Sequence, residues 1–466
     1  MKRLKGILCD KRIIFIFAFL LMFITLLFYN DLYGKSGDAY ETWKVVRSFF
    51  KSQVEYSYVM YKGIYAFLPG VISYNIGNLF DIGEFTILKV INSLGFAYIT
   101  TIGIPNLVQN LLGKRKINVY SKYIFILLSY LLDSNVFIVI SVDYYSAVLF
   151  IMLCNVFIKM QTINNNKNKF IFGILLGLNL SLSGQFSLAT YLLLIYVVIK
   201  IIKKYLTSIN KHNIKLIFAS LMIIISGYII TALPNAIYEE YVVNVGRENG
   251  AWIPKGSDWI KTGMSRDMLI INYPKTLPDN IGLSIMTKRC DDINTVKLGG
   301  SIYDYSDYIV MFLRYPLEFS ARIFERMFLG IIDDYKNTSF IPYIHSHSII
   351  NLVLMLTCIY IVLIELKKRV KKVKDILNYK ALIILSSILT IVPPSLLHVE
   401  NRYYLFLRML ILASALFSIN IKKSTKKSNI LNYKINYNYI VYILYMIICI
   451  TLYLAIYQSS VTDAIF

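Results

Sequence analysis

Four places in this chain hold side chains that could do chemistry. Asp38 follows the first apolar run, Lys62 precedes the second, and Asp143 lies between two more. A late run closes on His398-Val399-Glu400-Asn401-Arg402-Tyr403. Carboxylates suit proton transfer when partial burial raises their pKa. Lysine offers an anion a point charge, and arginine offers it forked donors. Charge at a membrane face is costly unless solvated or paired, so such residues gathered on one side mark a candidate site. Taken singly, each reads equally well as a solvated helix end. Asp143 also reads as a helix cap and His398 as a hydrogen-bonded interface histidine.

The elements that must position these residues are membrane helices. Hydrophobic residues make up 57% of the 466 and charged ones only 16%, and the mean hydropathy is +0.57. A soluble domain needs more polar surface than that. The apolar residues fall in runs of about 18 or more, enough for a helix to cross the hydrocarbon core. In lipid the backbone must satisfy its own hydrogen bonds, and the short alternating segments of a barrel are missing from the pattern. The expected fold class is therefore all-α, a polytopic transmembrane bundle.

The formal charge of +22 does not point to nucleic acid, because the cations gather beside the ends of apolar runs. Examples are Lys2, Arg3, Lys5, Lys11 and Arg12, then Lys114, Arg115 and Lys116, Lys203 and Lys204, Lys367 to Lys374, and Lys422 to Lys427. That distribution reports topology and contact with anionic lipid. The five cysteines are scattered and imply no disulfide framework. His345 and His347 lack the further ligands that a metal pair needs.

With the amino terminus inside, the first span is Ile13 to Phe28. The piece Gly63 to Phe80, broken by Pro69, Gly70 and Gly77, is read as a helix lying at the outer interface, because counting it as a span would place Lys114 to Lys116 outside. Spans follow at Phe85 to Leu112, Tyr120 to Phe137, Tyr145 to Ile158, Phe170 to Leu182, Ser187 to Ile201 and Leu216 to Leu233. An outer excursion from Pro234 to His347 holds Trp252 and Trp259, which could stack on a saccharide, and closes on an amphipathic stretch, Tyr308 to Ile332. The last spans are Ile349 to Ile364, Ala381 to Leu397, Tyr404 to Ile419 and Tyr439 to Ile456, about eleven in all. Three regions result: an N-terminal transmembrane module over 1–233, an extracytoplasmic loop region over 234–347, and C-terminal transmembrane helices over 348–466.

The order of these features resembles the C-type glycosyltransferases, the multi-span family that includes protein O-mannosyltransferases and aminoarabinose transferases. Asp38 in a first outer loop, an amphipathic helix, and Tyr61-Lys62-Gly63 opening an interfacial helix are similar to the family's start. Phe85 to Lys116, the acidic turn at Asp143, the Gly-rich Gly173 to Gly184, and Glu400-Asn401-Arg402-Tyr403 continue the likeness. The resemblance implies a sugar donor on a polyprenyl-phosphate carrier in the bacterial cell membrane, with a saccharide, lipid or protein acceptor on the outer face. It implies Asp38 as general base, with Lys62 and Arg402 holding the phosphate. Asp143, His398, Glu400 and Tyr403 complete the expected substrate site. The sequence departs from the family pattern where Asp38 has Ala39 rather than a second acid beside it, and where Lys62-Gly63 replaces Lys-Pro-Pro. Those departures leave the acceptor class and any requirement for a divalent metal open. No Gly-rich phosphate loop of a soluble nucleotide site is visible.

Two other classes compete with this reading. A lipid-linked saccharide polymerase or flippase would need charge along a central cavity or basic outer loops. A non-enzymatic scaffold would need only the loop Pro234 to His347.

Overall fold

The computed structural model describes residues 10–29, 38–49, 63–113, 117–138, 142–163, 165–182, 184–205, 211–248, 313, 316–332, 347–369, 379–397, 401–419 and 437–465. Every element among them is helical. Among the described residues, four helices are long and apolar enough to cross a membrane, namely Thr86–Leu111, Asp143–Thr162, Gly184–Lys204 and Asn213–Tyr241, while Tyr379–Ser395 and Ile440–Leu454 are apolar but shorter. The other expected spans fall on helices that are shorter or more polar in their described parts. The first helix has 17 residues, and the helix from Asn401 carries Arg402 and Arg408.

The contacts divide the chain into two units. The first comprises Met1–Pro254, Lys372–Thr390 and Leu405–Met409. Helix α1 (Lys11–Leu27) starts at Asp10, whose carboxylate accepts the Arg12 N–H at 2.8 Å, a side-chain N-cap. It is followed by α2 (Asp38–Ser48) and α3 (Ile64–Phe80). The expected span Phe85 to Leu112 is α4 (Thr86–Tyr98), a π-turn (Ile99–Gly103) and α5 (Ile104–Leu111). Pro105 cannot donate to the preceding turn, and the wider π-turn absorbs the mismatch. Asn155 Nδ2 donates to the Gly103 carbonyl there at 3.1 Å.

Helices α6 (Val119–Ile138), α7 (Val142–Thr162), α8 (Asn166–Leu180), α9 (Ser187–Tyr205) and α10 (Lys211–Glu248) complete the amino-terminal run. The sequence predicts that α10 stops before Pro234, but the helix continues through it for 38 residues in total. Proline deletes one helical hydrogen bond. The turn before it is held from outside, where the Tyr65 hydroxyl donates to the Thr231 carbonyl at 2.7 Å.

The closest packing in this unit joins α8 to α10. A Cβ on Gly173 would strike the Ile224 carbonyl oxygen, one on Gly177 the Thr231 hydroxyl, and one on Gly227 the Phe170 carbonyl. Small residues that bring two backbones together are a recurrent way to associate helices where the surroundings are apolar. Thr231 Oγ1 also reaches the Ile174 carbonyl at 3.2 Å. The Gly-rich stretch is therefore a helix-packing device.

The second unit comprises Lys255–Lys371, Ile391–Tyr404 and Leu410–Phe466. Its described helices are α11 (Pro316–Ile332), α12 (His347–Arg369), α14 (Val392–Leu397) and α16 (Tyr437–Ile465). Helix α13 (Tyr379–Leu389) belongs to the first unit, and the residues of α15 (Asn401–Ser418) are shared between the two. Ile332, Leu352 and Leu356 form a small core under Tyr445 and Met446. Pro393 and Pro394, inside the expected span Ala381 to Leu397, lie in the first turn of α14, where their missing N–H groups cost nothing.

Substituting Gly173→Ala should cost about 1–3 kcal/mol, because backbone cannot yield to the new methyl as a side-chain tip can. A lowered thermal midpoint in detergent would show it. Gly184→Ala, where a Cβ meets nothing within 4 Å, should leave the midpoint unchanged.

Candidate functional site

Helix α2 begins at Asp38. Its apolar face, Trp43, Val45 and Val46, is buried, and its cations are engaged with neighbours. Lys44 Nζ lies 3.1 Å from Glu41 Oε1, one helical turn away. Arg47 Nη2 lies 2.8 Å from Glu84 Oε1. Trp43, 2% exposed, packs against Phe85 at 4.4 Å between ring centroids and meets Tyr74 edge-on at 6.1 Å. A Cβ on Gly70 would fall 2.6 Å from Val46 Cγ2 and 3.6 Å from the Trp43 ring. Helix α2 thus lies directly on the backbone of α3.

Helix α3 is fastened at its start and at its middle. Gly63 precedes it with φ 74°, in the left-handed region that favours glycine, and a Cβ there would strike the Ser181 carbonyl. The first helical N–H, of Ile64, donates to Asn235 Oδ1 at 2.8 Å. Asn235 Nδ2 in turn donates to Glu239 Oε1 at 2.8 Å. Midway along it the Ser73 hydroxyl donates to the Glu84 carbonyl at 2.6 Å and accepts the Leu88 N–H at 2.9 Å.

The face of α3 that points away from α2 lines an open groove of about 630 Å³. Tyr65, Leu68, Pro69 and Ile72 form one wall, and α4 with its π-turn forms another from Ile91 to Ile102. Tyr144 to Met152 of α7, Leu178 and Leu182 close it. The surface is almost wholly apolar although four tyrosines contribute, because their hydroxyls are occupied elsewhere, that of Tyr98 with the Asn155 side chain. Tyr65 donates to the Thr231 carbonyl, Tyr144 to the Asn92 carbonyl at 3.2 Å, and Tyr145 to Asn92 Oδ1 at 3.2 Å. Asn92 is itself fixed by donating to the Phe137 carbonyl at 2.9 Å. At about 1.5 Å per helical residue, Ile91 to Ile102 spans about 16 Å, roughly half a hydrocarbon core.

Asp143 was expected in a short turn. It occupies the first turn of α7 and is 3% exposed. The two residues after it are the groove tyrosines, so the acid marks one end of the groove. In the second unit, Arg402 rests on the ring of Tyr403 at 5.1 Å and donates to its hydroxyl at 3.3 Å. Both lie in the first turn of α15. Lys62, His398 and Glu400 lie outside the described residues, as do Trp252 and Trp259. Among the described residues, no three His, Cys, Asp or Glu side chains gather as metal ligands.

The sequence reading missed two features. Asp133 and Arg408, 2% and 1% exposed, form an ion pair with Arg408 Nε 3.2 Å from Asp133 Oδ1. A signal for it existed, because Asp133 is the single acid of the run 120–137 and Arg408 the single charge of 404–419. The second is Arg326, whose Nη1 donates to the Ser395 carbonyl at 3.2 Å, while the Ser395 and Tyr404 hydroxyls share a hydrogen bond at 2.9 Å. That network holds the corner between α14 and α15, and nothing in the spacing of an amphipathic stretch announced it.

Comparison of the chain with known family models, with characterised proteins and with solved structures finds no match. The functional reading therefore rests on the residues alone.

Arg408→Met should destabilise the protein by about 3–5 kcal/mol, because Asp133 loses its ion-pair partner in a low-dielectric setting. The double variant Asp133→Leu, Arg408→Met should recover most of that loss. Fluorescence-detected size exclusion after heating would rank the three proteins.

Proposed function

We propose that this protein is a membrane glycosyltransferase that moves a sugar from a polyprenyl-phosphate donor to an acceptor on the outer face of a bacterial cell membrane. The groove beside α3 is the observation that carries the reading. Its wall is apolar, it is long enough for several isoprene units, and it lies against the helix that bears α2 and Asp38. A water-soluble sugar nucleotide has no use for such a surface. A polyprenyl tail does.

The reading includes about eleven spans, a cytoplasmic amino terminus and α3 at the outer interface, the arrangement that the basic clusters favour. Asp38 takes the proton from an acceptor hydroxyl or amine. The acceptor atom bonds to the anomeric carbon as the bond from that carbon to the phosphate oxygen breaks, and polyprenyl phosphate departs with the electron pair. Lys62 and Arg402 hold the charge that develops on the departing phosphate, commonly a large term in such catalysis. Asp143, His398, Glu400 and Tyr403 contact substrate. The acceptor, whether a cell-envelope glycan, a lipid or a protein, and the sugar are not specified by these residues.

Asp38→Asn should lower transfer from a panel of polyprenyl-phosphate sugars by about 100-fold or more while leaving expression and thermal stability intact. Leu94→Trp, which fills the groove from a partly exposed position, should raise KM for the donor with Asp38 in place. Unchanged kinetics in both variants would remove the proposal.

A further inference from the structure

We infer that Trp43, Val46 and Gly70 are positioning residues that couple the occupancy of the groove to the placement of Asp38; the inference rests on the reading above. Helix α3 stands between the two. Leu68, Pro69 and Ile72 face the groove, while Gly70, between them in sequence, carries Val46 and Trp43 on its other side. The helix is held at its start by Asn235 and at its middle by Ser73, so displacement by a bound tail falls on the turn between those anchors. Pro69 lies inside the helix in that turn, and it deletes a hydrogen bond where the push arrives.

The far side of α3 is packed too closely to absorb movement. Val46 has no flexible end to yield against the Gly70 backbone, and Trp43 is wedged against Phe85 and Tyr74. Movement of α3 therefore passes to α2 as a body. Asp38 is the first residue of α2, eight positions before Val46, about 12 Å along one short helix. Binding energy from a remote, non-reacting part of a substrate can be spent on orientation at the reacting centre, and truncating that part then lowers kcat as well as affinity. A long tail in this groove would set the base, and a short tail with the same phosphate would not.

Trp43 is also the reporter. With Trp252→Phe and Trp259→Phe it becomes the one tryptophan of the chain. The full-length protein in lipid nanodiscs is titrated with long-chain polyprenyl monophosphate and with a short isoprenyl phosphate, and retention of radiolabelled ligand is measured in parallel. The expected result is a saturable change in Trp43 emission with the long chain and none with the short one. Retention of the long chain with silent Trp43, or an equal response to the short phosphate, overturns the coupling but leaves the groove assignment standing. No retention at all overturns both.

A kinetic pair separates positioning from mere packing. Val46→Ala should lower kcat with the long donor by about 10- to 100-fold at unchanged KM. Gly70→Ala placed on that background returns a methyl group to the contact and should restore kcat. A Val46→Ala variant that loses thermal stability but keeps kcat counts against the inference.

Discussion

The first unit depends on how closely α8 and α10 approach. Gly173, Gly177 and Gly227 let the two backbones touch, and that contact fixes the height and rotation of α10. From there α10 presents the Thr231 carbonyl to Tyr65 and the Asn235 side chain to the first turn of α3. Helix α8 ends at the Ser181 carbonyl, which excludes any side chain at position 63. So a glycine contact between two long helices determines where α3 starts. The position of α3 in turn determines the groove on one side and the seat of α2 on the other.

Within this framework, polar groups are spent on one another. Tyrosine hydroxyls that could have wetted the groove are bound to Thr231, Asn92 and the backbone of α4. Lys169, buried in α8, donates to the Ser220 hydroxyl of α10 at 2.9 Å. Asp133 and Arg408 bring together helices 275 positions apart in sequence. In an apolar surround an unmatched polar group costs several kcal/mol, so these pairings specify which helices can be neighbours. The groove stays apolar because its polar atoms are committed elsewhere.

Much of the helical build was legible in the sequence, because apolar runs and basic flanks report directly on single elements. The amphipathic α2 and the glycine-broken α3 were visible in the same way. The features that escaped depend on partners distant in the chain. Pro234 looked like a helix end because its own neighbourhood cannot reveal that Tyr65 braces the turn before it. Asp133 and Arg408 are isolated charges in their own runs, and only the fold pairs them. The groove, built by α3, α4, α7 and α8 together, has no signature in any one of them. Asp38, read as part of a loop, opens α2, and Asp143, read as part of a turn, lies in the first turn of α7; their chemistry is a proposal.

The central claim is that the groove beside α3 holds the isoprenoid tail of a phosphate-bearing lipid. Photolabelling tests it most directly, with a polyprenyl phosphate carrying a diazirine partway along its chain and peptide mapping of the adducts by mass spectrometry. The account predicts labels on Ile72, Leu94 and Met152, competed away by unlabelled polyprenyl phosphate. Labels confined to the lipid-exposed faces of α10 or α16, and indifferent to competitor, would contradict it.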